Sequence, residues 1–286
     1  MGLSEERIAF VGGGNMAEAL LAGLLEAGVA PERICASDPS ASRRDHLAAR
    51  HGVAVSASNA AAVAGATLVV LAVKPSVVVP ACREIAAAVA SEALVLSIAA
   101  GVPTATIEAE LPEGARVVRA MPNTPALVQA GATAVAPGHA AGDADLALAE
   151  AVFGAVGLTV RVPESGLDAV TGLSGSGPAY VMLMIEALAD GGVKAGLPRD
   201  VAQALATQTV LGSAELQRQT GEHPAVLKDR VTSPGGTTIA GLAVLEAAGL
   251  RGALLEAVVA AAERSRELGR AGSTPVGQST DRKEPS

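Results

Sequence analysis

Through roughly the first 165 residues, short aliphatic and β-branched runs alternate with Ala/Leu-rich stretches of helical period. The predicted strands are Arg7–Val11, Arg33–Ser37, Leu68–Val73, Leu94–Ile98, Val117–Ala120, Thr133–Ala136 and Leu158–Val162. They lack strict polar alternation, as strands buried on both faces of a parallel sheet do. Helical stretches such as Met16–Ala27, Ser42–Arg50 and Val77–Ala88 lie between several of them. This βαβ rhythm predicts a doubly wound α/β domain over residues 1–164.

From Gly166 the strand signals vanish. Predicted helices are Gly177–Val193, Arg199–Gln219, His223–Val231, Thr237–Ala247 and Arg251–Leu268, so residues 165–270 should form an all-α domain. Gly177–Val193 has almost no polar surface. A helix apolar all round must be buried, which predicts subunit packing through it. Residues 271–286 are polar and Gly/Ser/Pro-containing, and read as a disordered tail.

Composition narrows the function classes. Half the residues are apolar, mostly Ala, Val and Leu, with one Tyr, two Phe and no Trp. The net charge of −8 and the shortage of aromatics argue against nucleic acid. An anionic substrate must then be held by local donors. Cys35 and Cys82 form no CxxC, and the four His are scattered, so no metal is expected. The longest apolar run, Ala60–Val73, is shorter than the ~20 residues of a membrane span. The acidic N-terminus has no leader pattern. A cytoplasmic protein that binds no membrane is expected.

Two glycine signatures carry the chemistry. Arg7–Val11 runs into Gly12-x-Gly14-x-x-Ala17, followed by a helical stretch. Gly12 permits a tight turn, Gly14 lets a pyrophosphate approach the backbone, and Ala17 allows close helix–strand packing. The helix start offers free N–H groups and partial positive charge. This strand–turn–helix context marks a Rossmann-like nucleotide site. Asp38, 24 residues past Gly14, sits where an acidic residue holds ribose hydroxyls and favours NADH. Ser40, Ser42, Arg43 and Arg44 follow at once and could hold the 2′-phosphate of NADPH. Either nucleotide remains open. The second signature, Ser233-Pro234-Gly235-Gly236-Thr237-Thr238, offers successive backbone N–H groups and hydroxyls at a helix start, a place for a small carboxylate.

Three strand-end loops line the sheet between them. They are Ala72-Val73-Lys74-Pro75, Ser97-Ile98-Ala99-Ala100-Gly101, and Arg119-Ala120-Met121-Pro122-Asn123-Thr124-Pro125. Carboxyl ends of such strands border the nucleotide crevice. The rigid Met121-Pro122-Asn123 loop could wall a nicotinamide.

With these stretches, and with Asp168–Tyr180, His223-Pro224, Leu227-Lys228-Asp229 and Ser233–Ile239, the chain resembles the pyrroline-5-carboxylate reductase family over residues 10 to 239. The resemblance implies an oxidoreductase acting on CH–NH groups. It would reduce 1-pyrroline-5-carboxylate to L-proline with NADPH or NADH, the last step of proline biosynthesis, in a homodimer or larger assembly. It also implies that Val11, Gly12, Gly13, Gly14, Asn15, Met16, Asn59, Ala72, Val73, Lys74, Pro75, Ile98, Ala99 and Ala100 contact the dinucleotide. Asp38 and Ser40 fall at the adenosine ribose or its phosphate. Glu164 falls at the substrate ring nitrogen, and Thr237 and Thr238 at its carboxylate and ring. Thr238 and Glu164 are thus the candidate catalytic groups. Other readings are a reductase of another cyclic imine, a β-hydroxyacid dehydrogenase-like enzyme, and a non-catalytic nucleotide-sensing dimer. The second would need a Lys within the first long helix after the α/β domain; Lys194 follows that helix's expected end.

Overall fold

In the computed structural model, which describes residues 2–272, eight strands join in one sheet. They are β1 (Ile8–Val11), β2 (Ile34–Ser37), β3 (Ala54–Ser56), β4 (Leu68–Leu71), β5 (Leu94–Ser97), β6 (Arg116–Met121), β7 (Gly131–Pro137) and β8 (Gly157–Arg161). The helices are α1 (Asn15–Glu26), α2 (Ala41–His51), α3 (Asn59–Val63), α4 (Val78–Ile85), α5 (Thr104–Glu108), α6 (Asp143–Gly154), α7 (Leu167–Val170), α8 (Gly177–Lys194), α9 (Arg199–Thr220), α10 (Pro224–Arg230), α11 (Thr237–Ala247) and α12 (Leu250–Gly272).

The sheet order is β3-β2-β1-β4-β5-β6-β7-β8. Parallel pairing holds from β3 to β6, with Ile8 opposite Leu68 and Val11 opposite Leu71 across β1 and β4. The order reverses between those two strands, which makes the crevice above their carboxyl ends the ligand position in this architecture. Strands β1, β4 and β5 are buried throughout, as their unbroken apolar runs require. Two cores flank the sheet. One contains Phe10, Leu20, Leu24, Leu68 and Phe153, and the other Val69, Leu71, Ile85, Val95 and Ile107.

Four local expectations are corrected. Strand β3 was not anticipated; three residues are too few to show a period, and only pairing with β2 makes Ala54–Ser56 a strand. Strand β7 runs antiparallel to β6, because a short turn over Thr124–Val128 sends the chain back without a crossover helix. Strand β8 is not buried on both faces: Leu158 is 67% exposed and Val160 44%, as an edge strand allows. A tail was expected over 271–286, but Ala271 and Gly272 close α12; residues 273–286 lie outside the described residues.

The chain divides into two compact units. One holds the described residues up to Gly175 and those from Ala261 onward; the other is Ser176–Ala260. The second is all helix, and its α8 and α9 pack through Ala189, Ala202 and Ala206. Small side chains at that seam let the two helices approach closely. Many of its larger apolar positions lack cover: Met182, Leu183 and Leu188 on α8, Leu211 on α9, Val244 on α11 and Leu255 on α12 are all more than half exposed. So many large apolar groups on one small unit mark an association surface. We expect Leu183→Glu to shift the protein to monomer in light scattering, while circular dichroism keeps its helical signal. A mixed helical and strand spectrum with unchanged mass would place the contact elsewhere.

Candidate functional site

The turn after β1 is built by backbone proximity. Gly12 has φ +99, and its N–H donates to Ser37 O at 2.9 Å. A Cβ there would stand 2.7 Å from Ala72 O and 2.9 Å from Val73, in the loop that follows β4. Gly13 is nearly as tight, facing Leu47 at 2.9 Å and Asp38 at 3.3 Å. Gly14 differs, since a Cβ on it meets no atom of the described residues within 4 Å. It is also the N-cap of α1 and brings no side-chain cap, so the first-turn N–H groups of Asn15 and Met16 stay available to an anion. Open space in front of Gly14 and bare donors behind it fit a dinucleotide pyrophosphate.

The expected ribose-side residues brace this turn. Asp38 Oδ2 accepts from Gly13 N (3.1 Å) and its Oδ1 from Ser40 N (2.9 Å). Ser40 Oγ caps α2 by accepting from Arg43 N and shares a 2.9 Å hydrogen bond with Ser42 Oγ. Arg43 donates to the carbonyls of Gly13 and Gly14 and pairs with Glu18. Arg44 donates to the carbonyls of Asp38 and Pro39. Both arginines thus hold backbone in place here. Asn59 starts α3; its Oδ1 accepts from Ser37 Oγ (2.7 Å) and its Nδ2 donates to Glu84 (2.6 Å).

Glu18, on the first turns of α1, collects basic side chains from α2. His46 and His51 turn Nε2 to its Oε1 at 2.9 and 3.1 Å, and Arg43 and Arg50 approach it too. Burial alone would raise its pKa; hydrogen bonds from His51, His46 and Arg43 outweigh that and hold it at about 2. Sequence reading missed this cluster. Its signal was the basic spacing Arg43, His46, Arg50, one face of α2.

The remaining loops converge on the sheet's carboxyl edge. Lys74 is exposed beside half-buried Val73, whereas Ala99 is buried between half-exposed Ile98 and Ala100. Asn123 is spent inside the protein: Nδ2 donates to Ser174 O (3.0 Å) and Oδ1 accepts from Ala132 N (2.8 Å). It therefore locks the Met121-Pro122-Asn123 loop against a π-helical turn at Thr171–Gly175. Met121 packs there, close to Gly175. Glu164 accepts from Thr104 N (2.7 Å) at Oε1 and from Thr104 Oγ1 (2.8 Å) at Oε2, and Arg119 Nη1 lies 3.4 Å from Oε1. Thr104 and Arg119 are both buried. Nothing in the sequence ties residues 60 apart in this way.

In the helical unit, Gly236 N donates to Ser233 O (3.1 Å), closing a turn whose Gly235 has φ +65. Gly236 then N-caps α11 without a side-chain cap. The hydroxyls of Thr237 and Thr238 have no protein partner among the described residues, and the turn is largely exposed. A bare helix start with two free hydroxyls suits a small carboxylate. Tyr180, by contrast, donates to Ala257 O (3.3 Å). The structure thus gathers the nucleotide candidates and Glu164 in the sheet-bearing unit, and Ser233–Thr238 in the helical one.

A Rossmann-type nucleotide crevice followed by a helical module defines a two-module nicotinamide-dependent oxidoreductase. Residues 7–101 match a family model described as NADP oxidoreductase, coenzyme F420-dependent, and residues 164–268 match one described as pyrroline-5-carboxylate reductase dimerisation. A pyrroline-5-carboxylate reductase of Synechocystis sp. is 55% identical over 92% of this chain and 98% of its own length. One of Methanosarcina acetivorans is 49% identical over 94% and 100%. Among solved structures, a pyrroline-5-carboxylate reductase of Coxiella burnetii superposes with TM-score 0.87 at 40% identity, covering 92% of this chain and 98% of that one. A pyrroline carboxylate reductase of Plasmodium falciparum, solved with NADP bound, gives 0.83 at 31%, covering 94% and 100%. The chain belongs to the pyrroline-5-carboxylate reductase family.

Gly14→Val should fold, because its side chain enters open space, yet lose measurable NADPH binding in calorimetric titration. Gly12→Val should fail at the earlier step, with a melting temperature far below the wild type, since its Cβ meets backbone. Equal behaviour of the two would contradict the geometry. For Glu18, a depressed folded-state pKa contributes stability above the usual carboxylate value of 4.5, and that contribution is lost as pH falls toward about 2. Thermal melts from pH 6 to pH 2.5 should show a loss that Glu18→Gln makes shallower.

Proposed function

We infer that this protein catalyses the NAD(P)H-dependent reduction of 1-pyrroline-5-carboxylate to L-proline, the last step of proline biosynthesis, and that it works as a self-associating enzyme. The carrying observation is that a chain of this family pairs an open glycine turn for a dinucleotide with an α11 start that has no side-chain cap and bears two hydroxyls unpartnered among the described residues. In this reading the nucleotide module is 1–164 and the helical substrate and dimerisation module is 165–270. The location is the cytoplasm; no described helix is long and apolar enough to cross a membrane.

The roles follow from donor and acceptor capacity. The first turn of α1, together with Val11–Met16, Ala72–Pro75 and Ile98–Ala100, would hold the dinucleotide. Asp38 and Ser40 fall at its ribose side, beside Asn59, and Met121–Asn123 forms a rigid wall. Bound there, NAD(P)H supplies a hydride to the C=N carbon. The ring nitrogen must carry a proton for that transfer to be favourable. An ionised carboxylate has about four acceptor positions. Two on Glu164 Oε1 and one on Oε2 are occupied by Thr104 and Arg119, which leaves one on Oε2 for a ring N–H. The substrate carboxylate would take backbone N–H groups of Gly235 and Gly236 and the hydroxyls of Ser233, Thr237 and Thr238. We place that turn in the active site of the partner subunit, because the apolar helices around it need a second copy as cover.

The test combines kinetics and mixing. Wild-type protein with NADPH and pyrroline carboxylate should lose nicotinamide absorbance. Thr238→Ala should lower kcat/KM about ten- to a hundredfold, the ~1.5–3 kcal/mol of one hydrogen bond to a charged group, with NADPH affinity near normal. Wild-type kinetics with only reduced melting would make Thr238 a helix cap. Unfolding and refolding Gly14→Val together with Thr238→Ala should restore activity well above either alone, since mixed dimers regain one intact site. No restoration would put the turn and the nucleotide of each site in one chain.

A further inference from the structure

Beyond the nucleotide turn and the substrate groups, we propose that the last turns of α12 form a positioning clamp for the active site, acting through Ser265 and Gly269. They would set the cofactor loop after β5 against the Glu164 carboxylate. The inference rests on the function proposed above, and adds residues that touch neither substrate nor cofactor.

From Ala261 onward α12 belongs to the sheet-bearing unit. Ala262, Ser265 and Gly269 are spaced i, i+3, i+7, one helical face. Ala262 and Ser265 are buried, among mostly exposed neighbours. Ser265 Oγ donates to Asp168 Oδ1 at 2.6 Å. Asp168 lies in the first turn of α7, the helix that Glu164 leads into, four residues further on. One turn along, the helix meets Gly101 backbone to backbone. A Cβ on Gly269 would stand 2.7 Å from Gly101 O, and one on Gly101 would stand 3.3 Å from Gly269 N and 3.7 Å from Ser265 O. Gly101 itself has φ +74, a conformation that few other residues adopt.

The two gripped points lie on either side of one hydrogen-bonded unit. Gly101 ends the Ile98–Ala100 stretch and is followed, through Val102 and Pro103, by Thr104. Thr104 holds both oxygens of Glu164. The same helix face therefore fixes the loop that presents the cofactor and the segment that presents the carboxylate. A displacement of about 1 Å between groups that must meet at a reacting bond is enough to cost up to about a hundredfold in rate. Structural support of this kind is a positioning role.

Gly269→Ala is the decisive variant. Alanine is the better helix former, so propensity alone predicts a more stable helix. The contact predicts the opposite: Gly101 must move, and the cofactor loop with it. We expect kcat to fall about tenfold or more, with a measurable rise in the Kd for NADPH by fluorescence titration and an unchanged mass in light scattering. Ser265→Ala adds no bulk and should move kcat in the same direction by a smaller factor. Gly154→Ala, on α6 with open space around it, is the matched control and should leave kinetics alone. If Gly269→Ala fails to fold, Ser265→Ala carries the test. Wild-type kcat and Kd in folded Ser265→Ala and Gly269→Ala, with only melting changed, would overturn the clamp. A wild-type enzyme inactive on pyrroline carboxylate would instead overturn the function on which it rests, and NADPH affinity would still report the clamp.

Discussion

The close approach of two loops at the crossover between β1 and β4 is the constraint on which the site depends. Gly12 lies so near the Ala72 carbonyl that only a hydrogen fits between them. That contact brings the carboxyl ends of the two central strands together and aims the start of α1 at the space they enclose. A single methyl group at Gly12 would push them apart, while the same group on Gly14 would fill the space left for the ligand. The two glycines are neighbours in a motif, but one serves packing and the other serves binding.

Around that contact, polar groups mostly hold backbone. Asp38, Arg43 and Arg44 engage carbonyls and N–H groups of the turn and of the loop after β2. Asn123 locks its own loop, and Thr104 and Arg119 secure Glu164. Preorganisation of this kind suits hydride transfer, in which the cofactor does the chemistry and the protein orients and polarises. The buried Arg119 also illustrates a coupling: removing Glu164 would leave its charge without that partner, so the carboxylate is structural as well.

The helical unit obeys different rules. Alanine-rich seams such as Ala189 with Ala202 and Ala206 allow close helix packing but bury little area per residue. The larger apolar groups are therefore left to face outward, on a module that matches a dimerisation family model. Association is thus part of how this module meets the ordinary requirement for a core, and not an addition to an already complete domain.

Much of this was legible in the chain itself. The order of β-branched runs and helical stretches determined the doubly wound sheet, and the glycine spacing after Val11 determined the tight turn and bare start of α1, because turn geometry and helix-start chemistry are local. The bare start of α11 was equally readable from Ser233-Pro234-Gly235-Gly236-Thr237-Thr238. The three-residue strand β3 and the reversal of β7 were not, since a short segment takes its state from the neighbour it pairs with. Nor were the bonds from Thr104 and Arg119 to Glu164, the basic side chains gathered around Glu18, or the meeting of Gly101 with Gly269. Those contacts join residues 25 to 168 positions apart. Local sequence sets which conformations a segment prefers; only the packed fold decides which distant groups are brought within a bond length of one another.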